Sequence, residues 1–424
     1  MTRLLISGGR IIDPGRSIDL RDDLLITEGK ISGITDAAET TPGVGYTVIN
    51  AEGLIVCPGF IDDHCHLRQP GFEDKETIAS GSRAAARGGF TTVCCMPNTQ
   101  PPLDNIEMID YVNNTAAKEA AIRVLPIGCI SRGRQGKELA DMDGMASRGA
   151  VAFSDDGDSV MDYNLMQQAM QRSLALGLPV SDHCEDKSKN AAGRGASAAA
   201  EESVIARDIE LAQATGGHIH IAHVSTRDAV ELIRRAKASG VSITAEATPH
   251  HLTLTRDCVA ECGNMAKVNP PLRTEEDVSA LIDGLNDDTI DIIATDHAPH
   301  TAADKQGDFA QAAFGISGFE TALGSLMGLV HSGQITLETL IAKLTYRPAS
   351  VFGGRLNKLG TLEIGNIADV VIFDPNLEWT VNAAEFISKG RNTPLDGKKL
   401  KGKVMATIYN GDIVYRDDNL PIKE

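Results

Sequence analysis

Hydrophobic positions follow two rhythms along this chain. Near the N-terminus they gather in short runs punctuated by glycine, at 4–7, 9–13, 23–26 and 30–34, each of strand length. That rhythm returns at the other end. A strand is expected over 368–373 and another over 403–409, the second running into the turn pair Asn410-Gly411. Between the ends, apolar runs at 53–57, 90–95, 122–126, 150–153, 179–182, 219–222, 241–246 and 290–294 alternate with stretches of helical period. The helices are clearest over 77–87, 163–176, 202–215 and 226–239. Strand-like runs interleaved with helices predict an α/β fold of the (β/α)8 TIM-barrel type. The β-rich ends predict one small β-sandwich domain assembled from both termini. The expected division is 1–57 and 354–424 for the small domain, and 58–353 for the barrel.

Composition narrows the partners. A chain of 424 residues has room for a second core beside a barrel. A net charge of −18 sets nucleic acid and anionic membranes aside. It does not exclude an anionic substrate, because a local arginine or metal ion can dominate a pocket. No apolar run has the length of a membrane span. The opening residues lack the apolar stretch and cleavage pattern of a signal peptide, so a cytoplasmic location is expected. The eight cysteines include no CxxC pair and read as small, mostly buried residues of a reducing compartment.

Candidate chemistry sits where a barrel places it, at the C-terminal ends of strands. His64 and His66 follow the first strand; residues two apart on an extended chain face the same side and can reach one ion. Asp155 and Asp156 follow the fourth strand, His183 the fifth, His223 the sixth, and Asp296 with His297 the eighth. Zinc accepts such mixed imidazole and carboxylate ligands. Each residue alone has a plainer explanation, since an aspartate after a strand is often a helix cap. The pair His218 and His220 has the same spacing as His64 and His66 but begins its strand, and reads as structural. Recurrence at successive strand ends is what favours a metal centre.

The stretches that carry these residues resemble a known family. They include 63–71 (DHCHLRQPG), 153–157 (FSDDG), 182–186 (DHCED), 221–226 (IAHVST), 268–273 (VNPPLR), 294–300 (ATDHAPH) and 314–321 (FGISGFET). In this order they are similar to the amidohydrolase superfamily and, within it, to class I dihydroorotases. The resemblance implies two zinc ions. His64, His66 and Asp296 would hold the first, and His183 and His223 the second. An aspartate would bridge them where related enzymes use a carbamylated lysine, and no lysine occurs between Glu138 and Lys187. Asp156, 27 residues before His183, matches the family's spacing better than Asp155.

The resemblance also implies a substrate. Dihydroorotate and N-carbamoyl-L-aspartate would be interconverted in pyrimidine synthesis by a hydroxide activated between the cations, with Asp296 as general acid/base. Arg68, whose planar fork suits a carboxylate, would hold the substrate's carboxylate together with Asn98 and His300. Asn269 and the backbone at Phe314 and Gly315 would hold the ring amides. Allantoinase or hydantoinase chemistry is the near alternative, on rings without that carboxylate. A scaffold role beside aspartate carbamoyltransferase is a further one, and a homodimer is the expected assembly. The segment 301–314, between two substrate-assigned positions, is expected to form a mobile cover.

Overall fold

The computed structural model describes residues 3–35, 45–190 and 195–423. Strand Phe60–Cys65 pairs in parallel with Phe90–Cys95, and that strand with Arg123–Pro126. Single bridges from Gly128 to Phe153 and from Phe153 to Val180 lead to Val180–Asp182. Ile219–Ile221, Ile243–Ala247 and Ile292–Ile293 follow in order, all parallel. A bridge from Cys65 to His297 returns to the first strand, so the ring closes as an eight-stranded barrel. Most of the helices between the strands start on side-chain caps: Thr77 and Thr274 form capping boxes, and Asp162, Ser197 and Thr226 accept from the first turn. The helix expected over 202–215 begins earlier, as Ala198–Thr215, because Ser197 caps a run of alanines.

The first barrel strand differs from the expected run at 53–57. Ile55–Pro58 lies in the terminal sheet, parallel to Arg3–Asp13 and antiparallel to Val370–Thr380. The barrel strand is the next one, Phe60–Cys65, whose polar Asp62, Asp63 and His64 hide it from a hydrophobicity reading. His64 therefore lies within the strand and His66 just past its end.

The ends of the chain share one nine-stranded sheet, branched where Thr47–Asn50 pairs with both Arg3–Asp13 and Ile422–Lys423. The two expected N-terminal strands are one, Arg3–Asp13, with a register shift between Ile6 and Gly9. Two hairpins use I′ turns, with positive φ at Glu28 (55°) and Gly29 (75°) and at Asn410 (52°) and Gly411 (82°). Ile6, Ile26, Ile49, Val56, Ile372 and Ile408 from the several wings meet in one apolar core. Trp379, the only tryptophan, is half-buried on this sheet and donates from Nε1 to Gly402 O at 2.9 Å. In the barrel, Ile61, Cys94, Leu125, Ala152 and Ile292 form a cluster with Phe352 of the helix Tyr346–Phe352, whose ring also meets His220 edge-on. No helix among the described residues is long and apolar enough to cross a membrane.

Candidate active site

At the open end of the barrel, Asp156 stands among four imidazoles. Its Oδ1 lies 3.5 Å from His64 Nε2, 3.7 Å from His183 Nδ1 and 3.8 Å from His223 Nε2, and its Oδ2 lies 3.6 Å from His66 Nε2. Two groups with the spacing of metal ligands result, His64, His66 and Asp156, and Asp156, His183 and His223, with Asp156 common to both. Asp296 Oδ1 is 3.0 Å from His66 Nε2 and 3.6 Å from His64 Nε2. Asp155 points elsewhere: it accepts from the Ile130 and Ser131 amides at 2.9 and 3.1 Å and from the Ser131 hydroxyl.

Surrounding acceptors orient three of the four imidazoles, and His223 Nδ1 is buried without one. His64 Nδ1 lies 2.6 Å from Glu246 Oε1, His66 Nδ1 2.9 Å from Asn98 Oδ1, and His183 Nε2 2.9 Å from Glu185 Oε2. Donation to these oxygens turns His64 Nε2, His66 Nε2 and His183 Nδ1 inward, towards the carboxylates of Asp156 and Asp296, with His183 Nδ1 also 2.8 Å from His223 Nε2. His64 Nε2 is buried without a hydrogen-bond partner, a cost the fold bears only where another group completes it. Charge agrees with that reading. Burial opposes a charged His64, yet Glu246, Asp156 and Asp296 raise its pKa to about 10. Burial likewise opposes ionisation of Asp156, but the surrounding histidines hold it well below the usual carboxylate range. A pocket that favours a proton this strongly on an imidazole favours a divalent cation in the same place. The donor set fits a metal.

Over this floor opens a cavity of about 330 Å³, walled in part by Arg68, Asn98, Asn269, His300, Phe314 and Gly315. All six expected substrate residues are thus brought to one space. Asn98 is already engaged with the floor, accepting from His66 and donating to Asp156 Oδ2 at 2.9 Å. Asn269 accepts from the Ala196 amide at 2.7 Å and donates to Glu185 at 2.9 Å. His300 Nε2 lies 2.9 Å from Phe314 O and 3.2 Å from Arg68 Nη2. A carbonyl can only accept, so Nε2 carries the proton and cannot also accept from Arg68. The Arg68 Nη2 edge is left unmatched beside the cavity. Burial and the nearby Arg68 lower the His300 pKa to about 3, so the ring is neutral.

Three of the residues at this mouth have left-handed backbone: Arg68 (φ 62°), His223 (φ 34°) and Asp296 (φ 44°). The segment 301–314 is fastened from beneath, where Lys305 Nζ donates to the backbone oxygens of Asn264, Lys267 and Ala313 at 3.0, 3.1 and 2.8 Å. His218 and His220 stay out of the cluster. Both meet Thr244, and His220 Nε2 lies 3.1 Å from Glu246 Oε2, so it braces the carboxylate that holds His64. Cys65 and Cys184 are buried; Asp182 and Asp208 beside Cys184 are ion-paired with Arg207. Sequence reasoning missed Glu246 and Glu185. Glu246 ends an apolar strand, and only its lone charge there could have marked it.

The likeness to known proteins agrees with this geometry. A family model described as "Dihydro-orotase-like" matches residues 53–229. A dihydroorotase of Pelotomaculum thermopropionicum is 48% identical over 98% of this chain and 99% of its own. The chain belongs to the dihydroorotase family. Within that family, a dihydroorotase of Aquifex aeolicus is 47% identical over 98% of this chain and 100% of its own. Among solved structures, an L-hydantoinase (dihydropyrimidinase) from Arthrobacter aurescens superposes with a TM-score of 0.90 at 25% identity, covering 100% of this chain and 98% of that one. The barrel with its terminal sheet is therefore shared between dihydroorotases and hydantoinases, and the wall of the cavity must distinguish them.

Proposed function

We propose that the chain is a zinc-dependent dihydroorotase that reversibly opens dihydroorotate to N-carbamoyl-L-aspartate. The observation that carries this reading is a carboxylate shared by two histidine pairs, Asp156, beneath a cavity whose wall presents the unmatched edge of Arg68. His64, His66, Asp156 and Asp296 would hold one zinc ion, and Asp156, His183 and His223 a second. When bound, such ions make hydroxide available near neutral pH and polarise a carbonyl.

The chain's own groups do the rest. Asp296, 3.0 Å from His66 and at the cavity floor, takes the proton of the attacking water and passes it to the leaving ring nitrogen. In ring closure the proton moves the other way: Asp296 takes it from the attacking carbamoyl nitrogen and delivers it to the departing oxygen. Arg68 donates to the substrate carboxylate, and neutral His300 adds a group that does not repel the arginine. Asn269 and the Phe314 and Gly315 backbone meet the ring amides. A hydantoin or dihydrouracil ring would leave Arg68 unpaired, which favours dihydroorotate over the hydantoinase alternative.

The test is a comparison of two enzymes on two rings. The unmodified enzyme should prefer dihydroorotate strongly over dihydrouracil. Arg68→Lys keeps the charge but loses the fork. It should lower kcat/KM on dihydroorotate by on the order of ten- to a hundred-fold, the loss of one charge-assisted hydrogen bond, and hardly affect dihydrouracil. Equal losses on both rings would assign Arg68 to structure and return the chain to a hydantoinase-like activity.

A further inference from the structure

The substrate-facing walls of the cavity are joined by a residue from outside the barrel. Asn392 lies in the segment that follows the strand Val370–Thr380, far along the chain from every strand of the barrel, yet it is 2% exposed. Its Oδ1 accepts from the His300 amide and from Ser317 Oγ, both at 2.9 Å. Its Nδ2 donates to Ala298 O and to Gly315 O, both at 3.0 Å. Its backbone oxygen accepts from the Ser317 amide at 2.9 Å. The partners fix which end of the amide is which, because the His300 amide can only donate and the two carbonyls can only accept. One side chain thus clamps both ends of the segment 301–314 and sets the spacing between His300 and Gly315.

Gly315 shows how little slack there is. Its φ is +137°, and a Cβ there would come within 2.6 Å of Ala298 Cβ and 2.7 Å of Ala298 O. The two chain segments are in contact across the position that Asn392 bridges, so a small displacement of either moves the cavity wall.

We infer that Asn392 is a positioning residue for substrate: it holds the His300 and Gly315 backbones at the separation that the ring and its carboxylate require. This rests on the dihydroorotase reading for the identity of the substrate, but the clamp itself does not.

Asn392→Asp is nearly isosteric and tests the inference directly. It keeps the acceptor for the His300 amide but sets a carboxylate oxygen against the Ala298 and Gly315 carbonyls. KM for dihydroorotate should rise on the order of ten- to a hundred-fold while kcat falls far less and metal per chain stays at the unmodified value, since loss of uniform binding raises KM alone. Asn392→Ala should behave alike. Hydrogen exchange followed by mass spectrometry, without substrate, should show faster exchange in peptides spanning 298–317 and no change in the barrel strands. Ser317→Ala removes one partner of Oδ1 and should give the same pattern at a fraction of the size. Unchanged KM and unchanged exchange in folded Asn392→Asp would overturn the inference. So would a fall in kcat and metal content together, which would mean a general loss of structure. Inactivity of the unmodified enzyme on dihydroorotate would instead sink the dihydroorotase reading, and the exchange measurement would still decide the clamp.

Discussion

The terminal sheet and the barrel mouth are both well buried, but they use burial in opposite ways. In the sheet, aliphatic side chains from every wing fill one core, and non-glycine residues of its strands and hairpins take positive φ only at the turns, as at Glu28 and Asn410. At the mouth, Asp62, Asp63, His64, Asp156, His183 and Glu246 are all buried, and Arg68, His223 and Asp296 take left-handed backbone where no hairpin requires it. Each such residue costs of order 1–3 kcal/mol. The sheet therefore resembles a region shaped for stability, and the mouth one where stability is given up to hold charge and direction. All eleven histidines lie between residues 64 and 331, on the barrel side of this contrast.

The comparison can be broken most severely at its centre. Asp156→Ala removes the group common to both histidine pairs. It should lower metal content to one ion per chain or none, by elemental mass spectrometry, and lower kcat/KM by about 10³-fold or more, equivalent to about 4 kcal/mol. If Asp155→Ala lost metal and Asp156→Ala did not, the assignment of the shared ligand would be wrong.

Ile372→Ala makes the converse cut. Ile372 is fully buried in the terminal core, and truncation should cost about 2–5 kcal/mol in denaturant unfolding. Turnover per folded, metal-loaded chain should stay within about twofold, since no reacting group is touched. A large loss of turnover at unchanged folded fraction would show that the sheet takes part in the chemistry.

The smallest effect is in acid. Burial lowers the pKa of His218 and His250 to about 4, and burial with Arg68 lowers that of His300 to about 3. The unfolded chain binds protons at these residues below about pH 6.5 and the folded chain does not, so stability present above that pH is lost as pH falls towards 4. The slope should be up to about 1.4 kcal/mol per pH unit for each histidine. Replacing His218 with Gln, which cannot titrate, should flatten the slope by about one histidine's share. An unchanged slope would show that His218 is not held neutral.

The same contrast explains what could be read from the sequence. The alternation of strands and helices is a pattern of apolar residues, and it foretold the barrel and the β-rich ends. It failed at Phe60–Cys65, because that strand carries the buried polar residues of the mouth and so looks less like a strand than Ile55–Pro58. The ligand types stood out because they recur at strand ends. Glu246, Glu185 and Asn392 did not. Glu246 meets His64 across 182 residues and Asn392 meets His300 across 92, and no local spacing records such a pairing. Glu185 lay unremarked inside the stretch 182–186, and Glu246 and Asn392 lay outside every stretch that carries the family resemblance.

The single tryptophan turns this division of labour into an optical one. Trp379 sits on the terminal sheet, tied to Gly402, and the barrel has no indole of its own. Fluorescence excited at the red edge therefore reports the sheet where it faces the helix Ala322–His331, while far-ultraviolet circular dichroism is dominated by the helices around the barrel. Recorded together on one sample during acid or thermal unfolding, the two signals separate the regions without any label. If the mouth is the weaker half, ellipticity will fall before the emission shifts.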